Sequence, residues 1–183
     1  MSRLFKSALI LGRFQTFHSG HEALIRRATG LAETVVVMVG SSQESGTAKN
    51  PFPYELRRQM LQDVFGDAIK VFPIPDVGVG NVCLWVKYVL QTYFEAVGCY
   101  PDLMVSGIED RRRLWLDTLA AQGVATLFVP KTVEISAREM RGFLLNGDFE
   151  MWQRNTPAAL RNRFDELREL YIKAKDNPYT ESV

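Results

Sequence analysis

The chain has 183 residues, with 22 Lys and Arg against 21 Asp and Glu, and this net charge of +1 gives no support to general nucleic-acid binding. At 46% apolar residues it reads as a globular chain with a sizeable core, most simply one domain over residues 1–183. Cys83 and Cys99 fit no metal-knuckle or disulfide spacing, and residues 34–39 are far too few to span a bilayer. Two buried or partly buried thiols and no long apolar signal region after Arg3 and Lys6 place the chain in the cytoplasm, with no membrane partner.

In chain order, residues 9–11 form a first strand and 20–31 a first helix, with Ser19 as its cap and Glu22 closing a capping box. The β-branched run 34–39 is a strand covered on both faces, closed by Gly40. A polar loop, 41–53, holds Lys49 and Asn50, and Pro53 opens a helix through Arg57 and Leu61 to about Phe65. Residues 69–74 are a third strand, 81–97 a helix, and 102–107 a fourth strand ending in a glycine turn. A helix at 109–121 and a fifth strand at 124–129 follow. The alternation predicts an α/β, Rossmann-like, doubly wound parallel five-stranded sheet. Ligands then gather outside the carboxyl ends of the strands, where the order reverses.

Beyond the fifth strand, Ser136 and Glu139 mark another capped helix start, and residues 147–174 read as a helical C-terminal appendage. Within it, Pro157 opens an amphipathic helix through Leu160, Phe164, Leu167 and Leu170. Its apolar stripe can cover the sheet or form a contact in a homo-oligomer. The tail, 175–183, has no periodicity and is expected to fray.

The most informative stretch is Gly12-Arg13-Phe14-Gln15-Thr16-Phe17-His18-Ser19-Gly20-His21, which joins the first strand to the first helix. Such a turn offers free backbone N–H groups and a positive helix end to a phosphate. It holds the chain's two histidines, with Arg13 directly after the strand. A lone histidine is usually satisfied locally; two beside a phosphate site suggest donors to a transferring phosphoryl group, with positive charge where they are protonated. Metal ligation by these side chains is a weak competitor, since no third histidine, cysteine or acidic pair completes a set. There is no GxGxxG fingerprint and no GKS/GKT loop.

Ser136, Arg138 and Arg141 form a second phosphate candidate, against the plain reading of a well-capped amphipathic helix. Arg111-Arg112-Arg113 after Gly107, with Asp110, reads either as a wet face or as substrate contact. Trp85 sits beside a strand-end loop, where it is core or stacks on a planar ring, with Asn81 offering amide hydrogen bonds nearby.

The run from Gly12 to His21 resembles the GRFQPxHxGH signature of HxGH nucleotidyltransferases, more narrowly of nicotinamide-nucleotide adenylyltransferases. The loop Ser41 to Ser45 and Lys49-Asn50-Pro51-Phe52, with Glu55, Arg57 and Arg58, is similar to that of the archaeal-type enzymes and of the adenylyltransferase half of Nudix-fused bacterial proteins. Ile135 to Arg141 is similar to the family's ISxTxxR motif, and the resemblance covers residues 8 to about 160. It implies AMP transfer from ATP to nicotinamide mononucleotide, giving NAD and pyrophosphate by direct attack on the α-phosphorus. Mg2+ would be held by the ATP phosphates, with no direct side-chain ligand.

Carried over by position, His18, His21 and Arg141 would be catalytic. Gly12, Arg13, Phe14, Gly20, Gly107, Ser136 and Arg138 would bind ATP and its phosphates. Ser41, Lys49, Asn81 and Trp85 would bind the mononucleotide. Three departures stand out: Thr16 replaces the family's proline, Arg138 its threonine, and Val82 a commonly acidic position. The alternatives are transfer to another small phosphate such as pantetheine phosphate, or a non-catalytic module that binds ATP or NAD.

Overall fold

The computed structural model describes residues 3–78, 80–107 and 113–177, with Arg113 described in its backbone alone. The predicted roles of Asp110 and of the Arg111-Arg112-Arg113 side chains therefore lie outside the described residues, as does the tail beyond 177. Five parallel strands form one sheet in the order β3-β2-β1-β4-β5: β1 (Phe5–Gly12), β2 (Ala32–Gly40), β3 (Lys70–Ile74), β4 (Leu103–Ser106) and β5 (Ala125–Phe128). The order reverses between β1 and β4, as the doubly wound reading requires.

The pleat sorts the strand residues onto two cores. Ala8, Ile10, Val35, Val37, Val39, Leu103 and Val105 face one side, under α1 (Ser19–Leu31) and α2 (Tyr54–Phe65). Leu9, Val36, Met38 and Met104 face the other, under α3 (Val82–Val97) and α4 (Arg113–Ala121). The first side also takes α5 (Ala137–Asn146), α6 (Phe149–Asn155) and α7 (Phe164–Lys175), through Met140, Leu144, Trp152 and Leu167. The amphipathic stripe of the last helix is thus used inside the chain.

Several boundaries differ from expectation for physical reasons. β1 starts at Phe5 rather than 9, because Ser7 N–H is paired by the Asp102 carboxylate (2.8 Å) and polar residues continue the ladder. β2 begins at Ala32, which also caps α1, so no loop separates helix from strand. The N-cap of α1 is His18 and not Ser19; no side chain caps it, and Glu22 accepts from Arg26 (2.6 Å) instead of closing a box. Pro53 caps α2 from outside. The helix expected from Pro157 is broken into a 3₁₀ segment over Ala158–Arg163 followed by α7. Cys83 and Cys99 are both exposed, correcting their expected burial: they lie at the two ends of α3, where the helix meets solvent. Among the described residues no helix is long and apolar enough to cross a membrane.

Candidate active site

The carboxyl ends of β1 and β2 open onto a cleft of about 450 Å³ lined by Leu11, Gly12, Arg13, Gly40, Ser41, Lys49, Asp76, Trp85 and Trp115. Five predicted residues therefore meet there: Gly12, Arg13, Ser41, Lys49 and Trp85. Asn81 does not line it. Its side-chain oxygen accepts from the N–H groups of Cys83 (2.8 Å) and Leu84 (3.2 Å), capping α3 from an exposed position. Gly107 also lies off the cleft; a Cβ there would meet Leu24 and the Val129 carbonyl at ordinary contact distance.

The histidine turn is a stack of rings. His18 and His21 lie face to face with centroids 3.7 Å apart, Phe17 stacks on His21 at 5.6 Å, and Phe14 meets it edge-on at 4.9 Å. Two glycines make room for this. A Cβ on Gly12 would come within 2.9 Å of the Phe14 ring, and one on Gly20 within 3.1 Å of the His18 ring. Phe14 is buried with φ 54°, so its ring shapes the turn from below and does not face a ligand.

Burial lowers the pKa of His18 to about 4, helped by the nearby Lys131, and it holds His21 well below 6.5, helped by His18. Both rings are therefore neutral at pH 7, where they offer hydrogen bonds and no positive charge. Their Nδ1 atoms are buried without a hydrogen-bond partner, an uncommon state that fits a site completed by a ligand.

Positive charge comes instead from arginines. Arg141, on α5, donates to the Gln15 carbonyl, and burial lowers its pKa while the neighbouring Tyr171 phenol raises it. Arg13 and Arg138 are close enough to Arg141 to oppose its charge, so three guanidiniums lie within electrostatic reach of one another. Ser136 caps α5 by accepting from Glu139 N–H (3.2 Å), and its hydroxyl donates to the Glu139 carboxylate (2.6 Å). That hydroxyl holds Glu139 below the usual carboxylate range, at the same helix end.

Sequence reasoning missed several residues that hold this geometry. Arg57 is fully buried and donates to three strand-end carbonyls: Arg13 (2.9 Å), Gly40 (2.8 Å) and Ser41 (3.0 Å). Burial, then Arg13, lowers its pKa to about 10, which leaves it charged at pH 7. Its signal was a charged residue on the buried stripe with Leu61 and Phe65. Gln15, also buried, clasps the backbone of Phe52 from both sides: Nε2 donates to the carbonyl (3.0 Å) and Oε1 accepts from N–H (2.9 Å). Asp76 and Trp115, from a turn and a helix far apart in sequence, had no local signal pointing to this cleft.

The Cytidylyltransferase-like family profile matches residues 9–174. A nicotinamide-nucleotide adenylyltransferase of Aeropyrum pernix is 33% identical over 172 residues, covering 88% of this chain and 92% of that protein. One from Methanolobus tindarius is 31% identical, with 88% and 89% covered. Among solved structures, a bifunctional NMN adenylyltransferase/ADP ribose pyrophosphatase from Francisella tularensis superposes with a TM-score of 0.76 at 20% identity, and shares the fold. The alignment covers 92% of this chain and 52% of that one, so the present chain spans about half its length. The match over nearly the whole chain shows that it belongs to the Cytidylyltransferase-like family and within it to the nicotinamide-nucleotide adenylyltransferases.

Proposed function

We propose that the chain transfers AMP from ATP to nicotinamide mononucleotide, forming NAD and releasing pyrophosphate. The observation that carries this is the meeting of Arg13, Lys49, Ser41 and Trp85 in one cleft, with Arg13 on the turn that leads into the stacked histidines. An acceptor with a phosphate at one end and a planar ring at the other matches a lining that holds both cations and tryptophans.

In this reading the acceptor phosphate oxygen attacks the α-phosphorus of ATP in line, and the bond to the bridging oxygen of the β-phosphate breaks. No protein nucleophile is needed, so the site works by positioning and charge stabilisation. His18 and His21 act as neutral hydrogen-bond donors to phosphate oxygens. Arg141, Arg138 and the amides at the start of α5, with Ser136, hold the departing pyrophosphate. Glu139 gives up its bond to the Ser136 hydroxyl or is screened when phosphate arrives. Gly12, Gly20 and Phe14 contribute shape and backbone N–H groups.

Among the described residues no three His, Cys, Asp or Glu side chains are grouped to hold an ion. The lining here is cationic and suited to phosphate; a magnesium ion would be carried by the ATP oxygens and would add charge neutralisation to that of the arginines. A related Francisella structure is described with AMP and a manganese ion.

The test is magnesium-dependent pyrophosphate release from ATP, with nicotinamide mononucleotide and pantetheine phosphate as separate acceptors. NAD should form, and His21→Ala should lower kcat by about a hundredfold, the scale of one preorganised donor. Turnover only with pantetheine phosphate would overturn the acceptor, and binding of ATP without any turnover would overturn catalysis.

A further inference from the structure

One carboxylate in the cleft is held more firmly than its exposure requires. Asp76, in the turn after β3, is exposed and yet fixed at three points. Its Oδ2 accepts from the Ser41 hydroxyl at 2.6 Å. Its backbone N–H donates to Gln43 Oε1 at 3.0 Å, and its carbonyl accepts from Gln43 Nε2 at 3.4 Å.

Ser41 itself is buried in the left-handed region at φ 48°, a costly backbone for a serine, and its carbonyl is held by Arg57. Among the described residues Asp76 forms no salt bridge, although Arg13 and Lys49 line the same cleft. A surface aspartate gains little from such anchoring; a carboxylate that must meet a ligand in one place gains specificity. Trp85 and Trp115, the surfaces suited to a planar ring, line the same cleft.

We propose that Asp76 reads the ring end of the acceptor: it selects a carboxamide and rejects a carboxylate at the same ring position. This rests on the adenylyltransferase reading above. The carboxylate is acceptor-only, so it takes an N–H from an amide, whereas the acid form offers a like charge and no donor. It also faces favourably the positive charge of a pyridinium ring, which both forms share, so discrimination comes from the substituent alone.

The experiment compares kcat/KM for nicotinamide mononucleotide and its nicotinic acid analogue in the wild type, Asp76→Asn and Ser41→Ala. Asn keeps an oxygen for the Ser41 hydroxyl, so the turn is retained while the charge is removed. The wild type should prefer the amide form, and Asp76→Asn should narrow that preference by about tenfold or more, chiefly by gaining activity on the acid, as expected when a like-charge clash is removed. Ser41→Ala, which frees the carboxylate from its anchor, should narrow it less. NAD formation with an unchanged ratio in Asp76→Asn, or a wild type indifferent to the two forms, overturns the role of Asp76 alone. Failure of the wild type to use either mononucleotide overturns the function reading as well.

Discussion

Arg57 and His18 are both buried and polar, and they respond to perturbation in opposite ways. Arg57 forks onto three carbonyls at the ends of β1 and β2, a geometry a lysine cannot copy. Arg57→Lys should therefore lower unfolding stability by about 2 kcal/mol, the cost of leaving buried carbonyls unpaired, measured by urea denaturation. His18 is held neutral, with its pKa lowered from 6.5 to about 4. The unfolded chain then binds a proton that the folded chain refuses, so stability is full above pH 6.5 and falls as pH drops towards 4. The loss for His18 reaches roughly 3 kcal/mol at the acid end. Denaturation midpoints at pH 7 and 4.5, compared between the wild type and His18→Gln, check both the sign and the size.

The helix starts carry a second group of expectations. Gly20 lies in the first turn of α1, where alanine would favour the helix by up to about 1 kcal/mol. Its new Cβ would press on the His18 ring at 3.1 Å. Gly20→Ala should consequently leave the melting temperature level or slightly raised while kcat falls at least tenfold, a separation that a simple packing defect does not produce. At the start of α3, Asn81→Ala should cost about 1 kcal/mol, and Asn81→Ser should recover most of it, as thermal melts will show for a cap.

At this scale the sequence was most readable. The apolar runs of β2 and β4 and the glycine turns gave element type and order, because strands buried on both faces leave little room for polar residues. The edges were less readable. Ser7 belongs to β1 through a carboxylate 95 positions away, and Cys83 and Cys99 are exposed because of where α3 ends. Gln15, Arg57 and Asp76 remained hidden for the same reason: their partners, backbone groups for the first two and the Ser41 and Gln43 side chains for Asp76, are brought near only by the tertiary fold.

Across the molecule, the first core joins the sheet to α1 and α2 and also to α5, α6 and α7. Arg163 ties the start of α7 to α2 through Asp63 at 2.7 Å. A C-terminal appendage that shares its core with the sheet should unfold with it. Leu167→Ala, at a fully buried position, should lower stability by about 3 kcal/mol and shift one cooperative transition. Two separate transitions by circular dichroism and tryptophan fluorescence would show instead that the appendage is its own unit.

The loop between β2 and α2 has a consequence for how such enzymes diversify. It closes on itself, through Gly46 N–H to Pro51 carbonyl (3.3 Å), Thr47 N–H to Asn50 carbonyl (3.3 Å) and the Asn50 amide to Glu44 (2.8 Å). At its roots Gln43 and Gln15 peg it to the scaffold by side-chain amides that stand in for a neighbouring strand. Residues 44–51 thus form a cassette with one further tie, Arg13 Nη1 donating to Asn50 Oδ1 (3.4 Å), so a segment of altered length or composition can be grafted between the two pegs provided it keeps Asn50 for the histidine turn. Acceptor preference can then drift while the machinery that handles the nucleotide triphosphate stays in place.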